Sequence, residues 1–147
     1  MAVEKVFIRD CDVEINTGTV ELPTWTPIGG LTEPVEHSPS TERTDMTDCD
    51  SGGRAEHVVA QRGDAFTFKG RVLEDPATGD RDPGQEACET LAKQIGSASL
   101  GQFRISSPGG ATITFDASAE VKRFSGSFND GIGWECATQV SGDLTEA

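Results

Sequence analysis

The sequence predicts an α+β domain, mostly antiparallel β, carrying a single amphipathic helix. Three observations predict it. Apolar and polar residues alternate with a period of two along much of the chain, as half-buried strands require. Breaks rich in Gly, Pro, Asn and Asp separate these runs. A helical period occurs once, after Asp82, so one helix must lie on a structure otherwise made of strands.

From Lys5 to Ile15 the residues Phe7, Cys11, Val13 and Ile15 face one way, and Asp10, Asp12 and Glu14 the other. Asn16-Thr17-Gly18 breaks this strand as a hairpin turn would, and Thr19 to Ile28 resumes as a second strand. Pro23 interrupts it, which marks an edge or a bulge. Trp25 sits between two threonines, and Gly29-Gly30 closes the run. Residues 31–54 show no period and hold Pro34, Pro39, a Ser/Thr-rich patch and the acidic Asp45–Asp50 run. They read as one long extended loop, and loops of that length are functional or disordered. Ala55 to Gln61 then reads as a short strand ending in a turn at Gly63-Asp64.

The clearest stretch follows. Phe66, Phe68, Gly70 and Val72 alternate with Thr67, Lys69, Arg71 and Leu73, and Glu74 to Asp80 can only be a loop. The spacing predicts a helix over 82–95. Asp82 can cap it, Pro83 is preset for its first position, and Gln85 can reach back as in a capping box. Cys88, Leu91, Ala92 and Ile95 form its apolar face, Lys93 lies outside, and Gly96 supplies the left-handed stop. Gln102 to Ser106 is a short strand, and Ser107–Gly110 a Pro-Gly turn. The longest alternation sets Ala111, Ile113, Phe115, Ala117, Ala119 and Val121 against Thr112, Thr114, Asp116, Ser118, Glu120 and Lys122. Asn129–Gly133 turns the chain back into Trp134, Cys136, Thr138 and Val140, with Glu135 and Gln139 opposite. Residues 141–147 read as frayed.

One domain, 1–147, accounts for the length of 147 residues. No apolar run is long enough for a membrane span, and no signal-peptide pattern is present. Cys11, Cys49, Cys88 and Cys136 are far apart and read as free thiols of an intracellular protein. The chain carries 25 acids against 12 bases, a net charge of −13, which disfavours nucleic-acid binding. The charge is segmented: residues 30–57 hold 7 acids and 2 bases, while residues 90–128 hold 2 acids and 4 bases. Such segregation suits complementarity between copies of one chain.

Catalytic and metal-binding signatures are missing. Cys49 and His57 with Asp45 and Asp50 fit no zinc spacing. Asp48 and Asp50 open a calcium-like loop that fails at Gly52 and Val59. The Gly-Gly pairs fall in no phosphate-binding consensus, and no Ser or Cys nucleophile pattern occurs. The chain therefore reads as a non-enzyme without cofactor.

Three stretches resemble one family. Trp25-Thr26-Pro27-Ile28-Gly29-Gly30 is similar to the opening of tail tube proteins (major tail proteins) of long-tailed, siphovirus-type phages. So is Thr78–Gln85 with Leu91 and Gly96 behind it. The late alternating strand followed by Phe124-Ser125-Gly126, Asn129-Asp130-Gly131 and Trp134 is similar again. The resemblance implies an antiparallel β-sandwich or barrel flanked by one helix. It implies hexameric rings stacked into a virion tail tube, assembled from protein made in the host cytoplasm, through which DNA passes without specific binding. Partners would be the chain itself and the tape measure, terminator and distal tail proteins, with no membrane. The added immunoglobulin-like domain of some members is not expected here.

On that implication the lumen-lining candidates are Thr112, Thr114, Asp116, Ser118, Glu120, Glu135 and Gln139, on the longest strands with one wholly hydrophilic side. Candidates for contacts between subunits or rings are the loop acids Glu33, Glu36, Glu42, Asp45, Asp48 and Asp50. They would face Arg62, Lys69, Arg71, Arg104 or Lys122 of another copy. Two other readings stay open on sequence: a monomeric or dimeric β-sandwich module for a small ligand or carbohydrate, and an enzyme using an acid pair without a recognisable motif.

Overall fold

The alternating segments form strands, and the strands form one sheet. In the computed structural model, which describes residues 3–147, the elements are β1 (Asp12–Asn16), β2 (Trp25–Pro27), β3 (Leu31–Asp45), β4 (His57–Arg71), α1 (Pro83–Ala92), β5 (Gly101–Ser106), β6 (Thr112–Ser125), β7 (Gly133–Val140) and β8 (Thr145–Glu146). Single 3-10 turns lie at Ile8–Asp10, Cys49–Ser51 and Gly96–Ser99. The strand order is β2-β1-β5-β6-β7-β4-β3, every pairing is antiparallel, and β8 adds to β6. The fold is thus α+β, mostly β, with one helix on an antiparallel sheet.

The sheet curls. Ile28 donates to Val13 O of β1 at 2.9 Å, and Arg71 of β4 donates to Gly30 O at 2.8 Å. β1 and β4 are separated by β5, β6 and β7 along the sheet, yet three residues bridge them. Three residues reach at most ~11 Å, so the two ends must approach each other as in a nearly closed barrel. The approach is tight enough to demand glycine. A Cβ on Gly70 would lie 2.2 Å from Gly30 O, and one on Gly84 would lie 2.3 Å from Pro27 O.

Inside the curl lie Val13, Ile15, Phe66, Phe68, Phe103, Phe115, Ala117, Trp134 and Cys136, with Cys88 of α1 pressed onto them. Phe66 and Phe115 stack at 4.7 Å, and Phe103 stacks on Phe115 at 5.7 Å. The cysteines are all unbridged, and Cys88 and Cys136 are both fully buried. A hydrogen bond with Cys136, reinforced by burial, pushes the Cys88 thiol far up, so it is a neutral packing group.

α1 begins as the sequence dictates, with Asp82 accepting from Gln85 N at 3.1 Å and Pro83 in its first turn. It is shorter than the predicted 82–95 helix. Ile95 lies beyond it at 90 % exposure, so it is not part of the face that packs on the sheet. Gly96 is left-handed (φ 72°) but opens the following 3-10 turn. Gln85 makes no capping box. It is fully buried, and its amide nitrogen donates to Gly29 O (3.0 Å) and Arg71 O (2.8 Å). Its amide oxygen accepts from Leu73 N (3.3 Å).

Five further expectations are corrected. The first strand starts only at Asp12, leaving Phe7 63 % exposed, because Ile8–Asp10 turns against β3. The second strand is cut to Trp25–Pro27 by Asn16, whose side chain holds the intervening loop through Gly18 N and Thr24 N. Residues 31–54 are not a loop: they contain β3, which pairs along the whole of β4. The separate strand at 55–61 and the turn at Gly63-Asp64 therefore merge into one 15-residue strand. The frayed tail is ordered as well, with β8 on β6 and Ala147 N donating to Thr112 O.

Glu89 secures the outer side of α1. It accepts from Trp134 Nε1 (3.2 Å), pairs with Arg81, and meets Arg123 Nη1 at 3.4 Å. Burial pushes this carboxyl up, but the bonds from Arg81 and Trp134 and the charges of Arg81 and Arg123 outweigh it and hold it below 4.5, its ordinary value.

Two predictions follow from these contacts. Gln85→Ala strips partners from Gly29 O, Arg71 O and Leu73 N, and should cost roughly 3–5 kcal/mol in urea unfolding. A loss below about 1 kcal/mol would show that water replaces the amide without penalty. Glu89→Gln should cost about 2 kcal/mol near neutrality. Because the folded value is depressed, that stabilisation is complete above the ordinary carboxylate value and vanishes as pH falls through the folded one. The gap between wild type and variant should therefore close in acid, and a gap independent of pH would contradict the assignment.

Candidate assembly surfaces

In an antiparallel ladder, paired residues share a face. Ser118 pairs with Gln139, Lys122 with Glu135, Gln102 with Asp116, Arg104 with Thr114 and Ser106 with Thr112. All seven lumen candidates therefore lie on one face, opposite the core. Thr67 and Lys69 of β4 extend it, across from Ala137 and Glu135. Glu14 and Arg104 are ion-paired on it at 2.9 Å, and the Arg104 guanidinium stacks 4.5 Å from the centre of the Trp25 ring. Asp116, Glu120 and Gln139 are exposed, while Thr112, Thr114, Ser118 and Glu135 are half-buried among neighbours of the same face.

The six acids do not form one group. Glu33 and Glu36 sit on the body of β3 across from Lys69 and Thr67, beside two irregularities in register, and so on the same polar face as the seven candidates above. Glu42 and Asp45 lie further out, where β3 and β4 have left the sheet. The last pair of β4 with β7 is Ala65 with Gln139, and from Pro39↔Asp64 to Asp45↔His57 the two strands run alone. This arm extends ~20–25 Å at the usual rise per residue. Asp48 and Asp50 cap it, Asp48 accepting from Asp50 N at 2.9 Å in the 3-10 turn. The Thr47 hydroxyl, then its amide, holds the Asp45 carboxyl below its ordinary range. At the root of the arm His37 Nε2 meets Asp64 Oδ1 at 2.7 Å and stacks on Phe66. Arg62 is exposed on the arm itself, and Arg104 is paired with Glu14.

The opposite end of the sheet carries a feature that the sequence reading missed. Between β6 and β7 the chain protrudes, and Phe124 is 70 %, Phe128 101 % and Ile132 44 % exposed. The register slips between Arg123 and Ser125, and Phe124 is the only described non-glycine residue with left-handed backbone, φ 63°. An aromatic residue rarely adopts that conformation. Arg123 lies 4.7 Å from the centre of the Phe124 ring, and Arg71 runs beside Gly131. This tip is aromatic and basic, where the arm is acidic.

No group of three or more His, Cys, Asp or Glu among the described residues is placed to hold a metal. A cleft of about 730 Å³ opens between the arm and residues 139–143, lined mainly by polar groups such as Ser40, Gln61 and Ser141. No described helix is long and apolar enough to cross a membrane.

No family model and no curated protein matches the sequence. Solved structures match its fold over nearly the whole chain. A chain from the virion of a native gene transfer agent particle superposes with TM-score 0.67 at 16 % identity, covering 95 % of this chain and 96 % of its own length. One from the tail of an empty gene transfer agent particle with C6 symmetry gives 0.69 at 18 %, covering 95 % and 96 %. One from the six-fold symmetrised baseplate of the anti-feeding prophage gives 0.69 at 11 %, covering 100 % and 97 %. At such identities the likeness is one of fold, and the fold of this chain is that of proteins built into tail and baseplate particles.

Proposed function

We propose that this chain is the structural subunit of a phage-type tail tube. Hexameric rings of it stack into a virion tail whose acidic channel lets DNA pass, with the chain itself and the tape measure, terminator and distal tail proteins as partners. The role is non-enzymatic and needs no cofactor. One observation carries the reading: a single polar sheet face, uninterrupted from β1 to β4, backed by a core that one helix completes. The fold likeness to chains of tail particles, one with C6 symmetry, supports it.

The physics of a conduit supports it too. Phosphate binding relies on Lys and Arg, and a wall with net negative charge repels the backbone rather than holding it. The exposed acids Asp116 and Glu120, with the half-buried Glu135, sit in the middle of this face. The sheet ends in β2 and β3, whose outer edges are unpaired. A ring that continues the sheet from copy to copy leaves no such edge exposed. The arm, with Glu42, Asp45, Asp48 and Asp50, holds neighbouring subunits or rings together, while Glu33 and Glu36 serve the contacts at the body of β3.

Two experiments test this. Asp116→Lys/Glu120→Lys changes two exposed side chains and should leave the fold intact while assembled tubes retain DNA at low salt. Tubes that still exclude DNA would place this face elsewhere. Removing residues 41–62 and closing Ser40 to Gly63 with a two-residue turn should leave a folded protein with an unaltered core. That protein should form rings but no long tubes. Normal tube lengths from it would remove the arm from the assembly.

A further inference from the structure

The polar face of the sheet holds one arginine in a clasp. Neighbouring strands bring Trp25 of β2, Glu14 of β1 and Arg104 of β5 together on it. Glu14 Oε1 accepts from Arg104 Nη2 at 2.9 Å and from Nε at 3.3 Å, and the guanidinium lies 4.5 Å from the centre of the Trp25 ring. Asn16, paired with Trp25 in the ladder, donates to Gln102 Oε1 at 3.0 Å in the next row. Trp25 is the one aromatic residue on the described polar face. A guanidinium fork matches the geometry of a phosphate, and an aromatic ring beneath it fixes its plane. Proteins that hold nucleic acid use these two groups together. In this chain a carboxylate occupies the fork. The Arg104 side chain is still 30 % exposed, so the clasp lies open to whatever passes the face.

Resting on the tail-tube reading, we infer that Glu14 masks a latent phosphate-binding site, Arg104 on Trp25, so that duplex DNA slides past this face instead of being held. Exclusion of DNA then depends on which base is paired, and not on net charge alone. With Glu14 uncharged, the indole still orients the guanidinium, and its fork is free for a phosphate. Every subunit carries the same clasp, so an unmasked arginine would recur around and along the channel, and weak contacts would add up. Charges at the surface act over only ~8 Å at physiological salt, so the acidic arm does not substitute for Glu14. Asp12 and Asp116 stand nearer, across from Ser106 and Gln102 in the next rungs, but the bonds to the fork are those of Glu14.

The test uses the full chain as wild type, Glu14→Gln, Glu120→Gln and Glu14→Gln/Arg104→Gln. Glutamine keeps the shape of Glu14 and still accepts from Arg104, so melting temperatures should stay within a few degrees. Assembled tubes are pelleted with a fluorescent duplex of mixed sequence at low salt, and the bound DNA is measured. Glu14→Gln should carry about tenfold more duplex than wild type, and raising the salt to about 200 mM should release it, as phosphate contacts require. Glu120→Gln removes the same single charge from the same face but frees no base, so it should carry several-fold less than Glu14→Gln. Adding Arg104→Gln should return retention to the wild-type level. Glu14→Gln tubes that pellet no more DNA than wild type would overturn the masking role. So would equal retention by Glu120→Gln, or retention that survives the loss of Arg104. If Glu14→Gln does not assemble, Arg104→Lys takes its place, since it keeps every charge but loses the fork and the stacking. More DNA than wild type on those tubes supports masking, and an equal amount refutes it. If wild type forms neither rings nor tubes, the tail-tube reading itself falls, an outcome distinct from tubes whose retention of DNA ignores Glu14.

Discussion

The passage of the chain through Ile28–Gly30 governs everything else. These residues leave the β2 end of the sheet and enter the β3 end, so their backbone runs through the closure, with Ile28 buried and Gly29 and Gly30 half-buried. Gly29 N donates to Asp82 Oδ2 at 3.1 Å, and Gly29 O accepts from Gln85. Asp82 and Gln85 are also the residues that begin α1, so the same two side chains start the helix and fasten the crossing. A neutral hydrogen bond adds only about 1 kcal/mol net, whereas a buried group left without one costs up to ~3 kcal/mol. The clamp therefore acts through the penalty for its absence. Once it closes, β3 and β4 are fixed beside each other, and the direction of the arm is set.

A sheet has two faces, and this chain has one helix. The curl and α1 bury one face, and the antiparallel sheet can leave the other wet. That wet face is not random in charge. Lys69 and Lys122 stand across from Glu135, and Arg104 is held by Glu14, so its bases are largely committed to local partners. Asp116 and Glu120 have no such partner in the ladder, since Gln102 and Ala137 oppose them. The uncompensated charge on the face is negative, which is the property a wall facing DNA needs.

The parts of the fold that bury one strand face were legible. Phe66 and Phe68, Phe103 and Ile105, Phe115 and Ala117, Trp134 and Cys136 all point inward as the period of two requires. The helix start at Asp82-Pro83 was legible for the same reason, since its chemistry is local. The arm was not. A two-stranded ribbon wet on both faces has no apolar alternation to read. Pro34 and Pro39 looked like breakers, yet β3 is an edge strand, which tolerates proline. Gln85 was misread because a buried amide and a capping amide occupy the same position in sequence and differ only in what surrounds them. The seven polar-face candidates were found together because strand parity fixes a face. The tip was missed because nothing in the sequence marks Phe124, rather than Gly126, as the residue that absorbs the slipped register.

A free two-stranded ribbon is marginally stable, and its open edges invite pairing with another ribbon. The charge on this arm decides which pairing is allowed. Two arms side by side would bring like charges together, six acids and two bases in residues 36–57 of each copy, and that juxtaposition is repulsive. The same carboxylates therefore discourage a symmetric contact between two arms. At physiological salt such forces act over only ~8 Å, so they select among encounters once surfaces are near and leave the strength of the contact to the apolar groups they surround.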